Sequence, residues 1–397
     1  MPAPIPSGLP SAIWKKMDKE LKFLLLSTMS DDDVHEDDLE LVLLTTFVHA
    51  QMRPCRIRDH LPVQFPPRIQ DFDDNQIHQL LGFRDHTSLN EIMVALNIPE
   101  FFTCKKKGYK MEGNAGFLLL CARLHSGARF SDLENTFHRD GTQLSAICAS
   151  VLNWIYETHA HPRLSNINWA KGRMDMYNRA INDRFSVFFA GEDWYDNIPQ
   201  DIWGFIDGTI RPCARPWAGS SPGMNLQKEV YSGYKRSHGL KYQAVVSPDG
   251  LFMHLYGAVP GRWHDSRMLS ESGLISQLDS IYEEGDRVLK ILGDPAYGKG
   301  MHIWTGFKNA DADWKHYFNN ALSSARVAVE WGFGMITRRW RLLSDANRQK
   351  ILETGLQHQY YVATFLTNLI TCVEGGNQTS SHFGCHPPTL GEYLSYH

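Results

Sequence analysis

IWGFIDGT, residues 202–209, decides how the rest of the chain reads. Trp203 and Phe205 alternate with Ile202 and Ile206, so both faces of the segment are apolar, the pattern of a central strand buried between layers. The run breaks on an acid, Asp207, followed by Gly208 and Thr209, and the strand is expected to stop there. Two further β-rich runs, YQAVV (242–246) and LFMHLYGAV (251–259), flank SPDG, where Pro248 presets φ and Gly250 permits φ > 0. They make a β-hairpin. HDSRMLSESGLISQL (264–278) reads as one helix capped by Asp265 or Ser266, and RVLKILGD (287–294) as a strand running into a second acid, Asp294. SSARVAVEWGFGMITRRWRLL (323–343) is a long helix carrying Glu330, and LQHQYYVATFLTNLITCV (356–373) is another. Strand, hairpin, helix, strand, helix predicts an α/β domain over 201–372.

Upstream the pattern is helical. AGFLLLCARLHSG (115–127) is a buried helix closed by Gly127; a short helix follows with Ser131 at its cap and Gly141 just past its end. Leu144, Ile147, Val151 and Ile155 then repeat at spacings of three and four. Helix, short helix, turn and long helix over 114–158 form a candidate helix-turn-helix, although such packing serves equally as plain scaffold. Arg129, His138, Arg139, Gln143 and Ser145 are its polar positions for phosphates and bases. The division expected is an N-terminal helical and acidic region (1–75), the helical region (76–175), a connector (176–200), the α/β domain (201–372) and a tail (373–397). A helix is expected over 37–51.

The chain has 397 residues, 43% of them hydrophobic and 21% charged, which excludes disorder as the overall state and suits two to three domains. Apolar stretches are too short for a membrane span, and the first residues show no secretory signal. Seven cysteines without a CxxC suit a reducing compartment. The net charge of −4 looks unfavourable for a polyanionic partner. Yet seven acids and no Lys or Arg sit in DDDVHEDDLE (31–40), and 201–350 holds 15 acids against 19 bases. The acidic excess is local, and the α/β half is mildly basic.

Asp207 and Asp294 each follow an apolar strand, where ligands gather in α/β sheets. Glu330 interrupts an apolar helical segment, where an unpaired charge costs several kcal/mol, so it needs a partner. Carboxylates suit Mg²⁺ or Mn²⁺, and a pair of such ions can activate a water and stabilise the leaving oxygen of a phosphodiester. Each acid also has a plain alternative: turn residue for Asp207, helix cap for Asp265, strand stop for Asp294, and salt-bridge partner of Arg326 for Glu330. On an unbroken helix Arg326, Thr337 and Arg341 share the Glu330 face, and Gly332 and Gly334 suggest a close approach. Arg211, Arg215, Lys228, Lys235, Arg236 and Lys241 interleave with Trp217, Tyr231, Tyr234 and Tyr242, a pattern that can follow a nucleic-acid backbone or simply a solvated loop.

The series IDGT (206–209), YSGYKRSHGLKYQAVVSPDG (231–250), GRWHDSRML (261–269), LGDPAYG (292–298) and ARVAVEWGFGMITRRWRLL (325–343) resembles the DDE nuclease domain of the PIF/Harbinger transposase superfamily. The resemblance implies an RNase H-like mixed sheet with flanking helices, preceded by an all-α region containing the helix-turn-helix. It implies Asp207, Asp294 and Glu330 as the catalytic triad, with Asp265 a fourth acid at or beside a site for two Mg²⁺ or Mn²⁺ ions. The implied activity is cleavage of double-stranded DNA at transposon ends and joining of the freed 3′ ends to target DNA. A Myb-like partner protein, a homo-oligomer on DNA and a nuclear location are implied too. Arg326, Arg341, Lys235, Arg236 and Arg139 are the candidate DNA contacts. Ile210 and Pro295 depart from the family's usual residues. A catalytically silent descendant serving as a DNA-binding or adaptor protein is the alternative.

Overall fold

The computed structural model describes residues 65–104, 107–192, 195–216, 225–282, 287–351 and 355–395. The acidic run 31–40, the helix expected over 37–51 and Trp217 lie outside the described residues. The N-terminal helical region contains α1 (His86–Ala95), α2 (Gly113–Ser126), α3 (Phe130–Phe137) and α4 (Gly141–Ile155). It is not all helix, because β1 (Phe101–Cys104) and β2 (Tyr109–Glu112) form an antiparallel hairpin between α1 and α2. Gly127 closes α2 at φ 66°, the left-handed cap a glycine accepts at low cost. The cap of α3 is Arg129 rather than Ser131, and Gly141 opens α4 behind the cap Asp140 instead of ending α3.

In α4 the face of Leu144, Ile147, Cys148, Val151, Leu152 and Ile155 is buried in the core, whereas Ser145 is exposed and Thr142, Gln143, Ala146, Ala149, Ser150 and Asn153 are half-buried on the other side.

In the α/β half, β3 (Ile202–Pro212), β4 (Tyr231–Ser232), β5 (Ser237–Val246), β6 (Phe252–Pro260), β7 (Lys290–Gly293) and β8 (Ile303–Thr305) build one mixed sheet. β5 runs antiparallel to β3 on one side and to β6 on the other, while β7 and β8 are parallel to β3. Trp203, Phe205, Ile202 and Ile206 are all buried, as the apolar alternation requires of a central strand. Gly250 takes φ 81° in the turn between β5 and β6. This is the RNase H-like sheet expected, with flanking helices α5 (Met174–Phe189), α6 (Asp265–Glu271), α7 (Leu274–Ile281), α8 (Asp313–Arg339) and α9 (Leu356–Val373).

Local expectations give way in five places. β3 does not stop at Asp207; it continues to Pro212 because Gly208, Thr209 and Ile210 stay paired with β5. The helix expected over 264–278 is two, divided where Gly273 adopts φ 65°. α8 ends at Arg339, so Arg341 falls in a following 3-10 turn and not on the Glu330 face. The stretch taken for a connector holds most of α5, whose Tyr177 stacks on Trp203 of β3. The tail folds back as α10 (Gln378–Phe383) and α11 (Leu390–Ser395), where Phe383 stacks on Phe205 and the buried Tyr393 hydroxyl accepts a hydrogen bond from Asn368.

Candidate active site

Register brings the two aspartates together. Ile206 of β3 is paired with Gly293 of β7 in parallel, so the next residues, Asp207 and Asp294, stand side by side where β7 ends. Asp207 Oδ1 accepts from the Gly208 amide at 2.8 Å within β3, and Asp294 Oδ1 accepts from the Ala296 amide at 2.8 Å in the turn after β7, so backbone just beyond each aspartate holds its carboxylate. Their second oxygens face α8. Arg326 Nη1 donates to Asp207 Oδ2 at 3.1 Å, and its Nη2 lies 4.0 Å from both Asp294 Oδ2 and Glu330 Oε1. One guanidinium thus gathers all three acids, and the sequence neighbour expected to touch phosphate is committed to carboxylates instead. Gly332, one turn on from Ala328, lets α8 sit against the sheet: a Cβ there would meet Phe252 Cζ at 3.0 Å.

Asp265 is the first residue of α6, behind the cap His264, and its side chain makes no helix-capping hydrogen bond. Instead Lys241 Nζ of β5 lies 2.9 Å from Asp265 Oδ1 and donates to the Trp263 carbonyl at 2.9 Å. Lys241 is 9% exposed, so this pair forms largely out of water. Gly208 makes room for it. A Cβ on Gly208 would stand 2.2 Å from Asp265 Oδ1, so that the carboxylate reaches the strand only because residue 208 has no side chain.

Burial raises Asp207 to a pKa of about 6, with Asp265 and Asp294 pushing the same way and Arg326 opposing. A carboxylate crowded by its like and shielded from water is a site that favours an added cation. The donors are all oxygen, which matches Mg²⁺ or Mn²⁺, and on these grounds the residues fit a hard divalent ion. As they stand, among the described residues, no three carboxylate, imidazole or thiolate groups converge closely enough to cage one.

Two further side chains belong to this cluster. Lys241 appeared in the sequence only as one base in a basic and aromatic stretch; its role depends on a partner 24 positions away. Tyr297 carried no signal beyond its place in LGDPAYG. It is buried, its ring packs on Gly293, and its hydroxyl has no hydrogen-bond partner. Burial and then Asp265, Asp207 and Asp294 hold this phenol well above its usual pKa range. An unpaired buried donor among acids is costly unless something in the working site accepts from it.

The remaining candidates lie elsewhere. Lys235 and Arg236 are exposed in the turn between β4 and β5, roughly 25 Å along β5 from Ala244, the partner of Asp207. Arg139 sits in the turn between α3 and α4, donating to the carbonyl of His138 at 2.9 Å. Arg341 is exposed just beyond α8.

Among the described residues no helix is long and apolar enough to cross a membrane, and six cysteines are free. Comparison with curated proteins and with solved structures finds no match. Residues 206–368, which run from the start of IDGT through most of α9 and include Asp207, Asp265, Asp294 and Glu330, match a family described as DDE superfamily endonuclease, and the chain carries such a domain there.

Proposed function

We propose that the protein is a divalent-metal-dependent nuclease of transposase descent that cleaves phosphodiester bonds of double-stranded DNA at transposon ends and joins the 3′ ends to target DNA. The observation that carries this reading is the gathering of Asp207, Asp294 and Glu330, from two neighbouring strand ends and one helix, around a single guanidinium. These three acids, with Asp265, are the residues that would hold Mg²⁺ or Mn²⁺, two ions in the full site. Such ions, when bound, polarise the phosphoryl oxygen and lower the pKa of an attacking water.

The chain's own residues prepare that site. Gly208 admits Asp265, Lys241 holds it, and the Gly208 and Ala296 amides hold one oxygen each of Asp207 and Asp294, leaving the second oxygens toward α8. Arg326 offsets the mutual repulsion of the acids. The Tyr297 hydroxyl is a donor for a substrate or water oxygen in the same cluster.

The assignment to the PIF/Harbinger superfamily rests on the five sequence blocks. A Myb-like partner, a homo-oligomer on DNA and a nuclear location are proposed with it. Arg341, Lys235, Arg236 and Arg139 are proposed phosphate contacts, and Arg326 is proposed to reach substrate only from within the acid cluster. The position of Arg326 among the acids also favours a second reading, a catalytically silent descendant that binds DNA or acts as an adaptor.

Plasmid nicking in Mg²⁺ or Mn²⁺ by the purified full chain, beside Asp294→Asn, separates the two. Nicking by the parent alone supports the nuclease. Equal nicking by both, or none by either with folding intact, overturns it.

A further inference from the structure

Away from the acids, the C-terminal end of α8 faces a groove of about 640 Å³ whose walls come from three parts of the chain. The residue after the turn at 82–83 contributes Arg84, the end of α8 and the turn beyond it contribute Arg338, Arg339 and Arg341, and the end of α9 contributes Glu374. Glu374 is the one carboxylate among the described lining residues. Two of the arginines are occupied: Arg339 donates to the Gly82 carbonyl at 2.8 Å and lies 3.6 Å from Glu374, while Arg84 pairs with Asp85 at 2.8 Å. Arg338 and Arg341 are exposed, with neither a hydrogen bond nor an ion pair to the described residues.

Basic residues at a helix C-terminus complement the macrodipole, which accounts for Arg338 and Arg339 in the last turn of α8. That effect explains neither Arg84, which comes from the N-terminal helical region, nor why the groove holds four guanidiniums against one carboxylate among its described lining residues. Like charges held together in a groove call for an anion with several negative groups.

The placement of Arg338 says which anion. Its Nη2 lies 3.8 Å from where a Cβ of Gly334 would stand, so the side chain runs back along α8 toward Glu330, one turn further on. From Glu330 to the end of α8 at Arg339 is about 13 Å of helix, close to four base-pair rises of a duplex. A single phosphate group spans neither the groove nor this distance, whereas a polymer of phosphates passing the acids has its next phosphates at the groove.

We infer that this groove, bounded by Arg84, Arg338 and Arg341, is a second phosphate-binding site that takes the backbone of duplex DNA flanking the scissile position. It rests on the nuclease reading for its ligand, but not on catalysis. Arg338 and Arg341 grip the backbone, Arg339 and Arg84 add to the surrounding field, and Arg339 ties the helical region to the nuclease half through the Gly82 carbonyl.

The test is equilibrium binding of the full chain to a fluorescent duplex of about 30 base pairs in EDTA, between about 50 and 200 mM salt. The variant is Arg338→Ala with Arg341→Ala, and the charge-matched control is Lys171→Ala with Arg179→Ala. The slope of log affinity against log salt is expected to fall by about 2 in the groove variant, with binding about ten- to a hundredfold weaker, and to stay unchanged in the control. An unchanged slope in the groove variant, with melting intact, overturns the proposal, as does an equal loss in the control or no binding by the parent at low salt. Displacement of the duplex by millimolar inorganic phosphate at constant ionic strength also overturns it, because the site then takes free phosphate. With no divalent ion present, cleavage does not enter the readout. An unchanged slope therefore bears on the groove alone, and absent nicking bears on the acid cluster alone.

Discussion

Arg326, one turn before Glu330 on α8, donates a 3.1 Å hydrogen bond to Asp207, 119 residues away on β3, and so ties the helix carrying one acid to the strand carrying another. Its charge opposes the burial that raises Asp207. Replacing it with glutamine is expected to move the Asp207 midpoint up by about one further unit, a typical effect for a carboxylate losing a nearby guanidinium. Carboxyl-carbon NMR across pH 4 to 9 reads this directly, and an unchanged midpoint would show that the contact does not persist in solution.

Asp207→Asn is expected to abolish nicking while stabilising the metal-free fold. The folded-state pKa of about 6 lies above the ordinary 3.8, so folding favours the protonated form, and stability falls as pH rises from about 4 to 6. Removing the ionisation gains about 1–3 kcal/mol at pH 7 and nothing below about pH 4. Urea unfolding at pH 4 and 7 measures both. Equal stability of the two proteins at pH 7 contradicts the assignment.

Lys241→Met strips Asp265 of its buried partner and is expected to cost about 2–4 kcal/mol, less than a fully buried pair because Asp265 keeps some solvent contact. Adding Asp265→Asn to it should recover part of that loss, since no unpaired charge then remains. Additive unfolding energies in this cycle would mean the pair is not coupled. Gly208→Ala reaches the same carboxylate from the strand side and should reduce nicking with little change in DNA binding.

His254, on β6, is fully enclosed with an unpaired Nδ1, and burial lowers its pKa to about 4 from 6.5. A base with a depressed folded pKa contributes stability above 6.5 that is lost as pH falls toward 4. The loss amounts to about 2 kcal/mol between pH 7 and 5. His254→Leu should remove that part of the acid sensitivity, leaving the opposite contribution of Asp207. Parallel unfolding curves for the two proteins at pH 5 and 7 would count against it.

Tyr297→Phe deletes only a hydroxyl that has no partner, so the metal-free fold should gain up to about 1 kcal/mol. If the hydroxyl donates to substrate or water in the working site, nicking falls in the same variant. A variant as active as the parent removes Tyr297 from the chemistry.

What could be read before folding was whatever depends on neighbours along the chain. The double-faced apolar run at 202–206 announced a central strand, SPDG announced its hairpin, and the acids after two apolar runs announced a site. Periodicity and turn chemistry act over a few residues, and these features lie within that range. The continuation of β3 past Asp207 was not legible, because Gly208 and Thr209 look like a turn until β5 pairs with them. Nor was the end of α8, which moved Arg341 off the Glu330 face.

The layer architecture, the identity of the acids and the local basic character hidden under the net charge are all written in short stretches of chain. The partners of those acids are not. Parallel register set Asp207 beside Asp294, packing at Gly332 brought α8 close to the sheet, and the missing side chain at Gly208 let Asp265 meet Lys241 beneath the strand. The helix-turn-helix was legible as a pattern, yet whether α4 faced solvent depended on what packed over it. A charge's partner is fixed by distance in space, where a few ångströms and the loss of water change its energy several-fold, and spacing along the chain does not encode that distance.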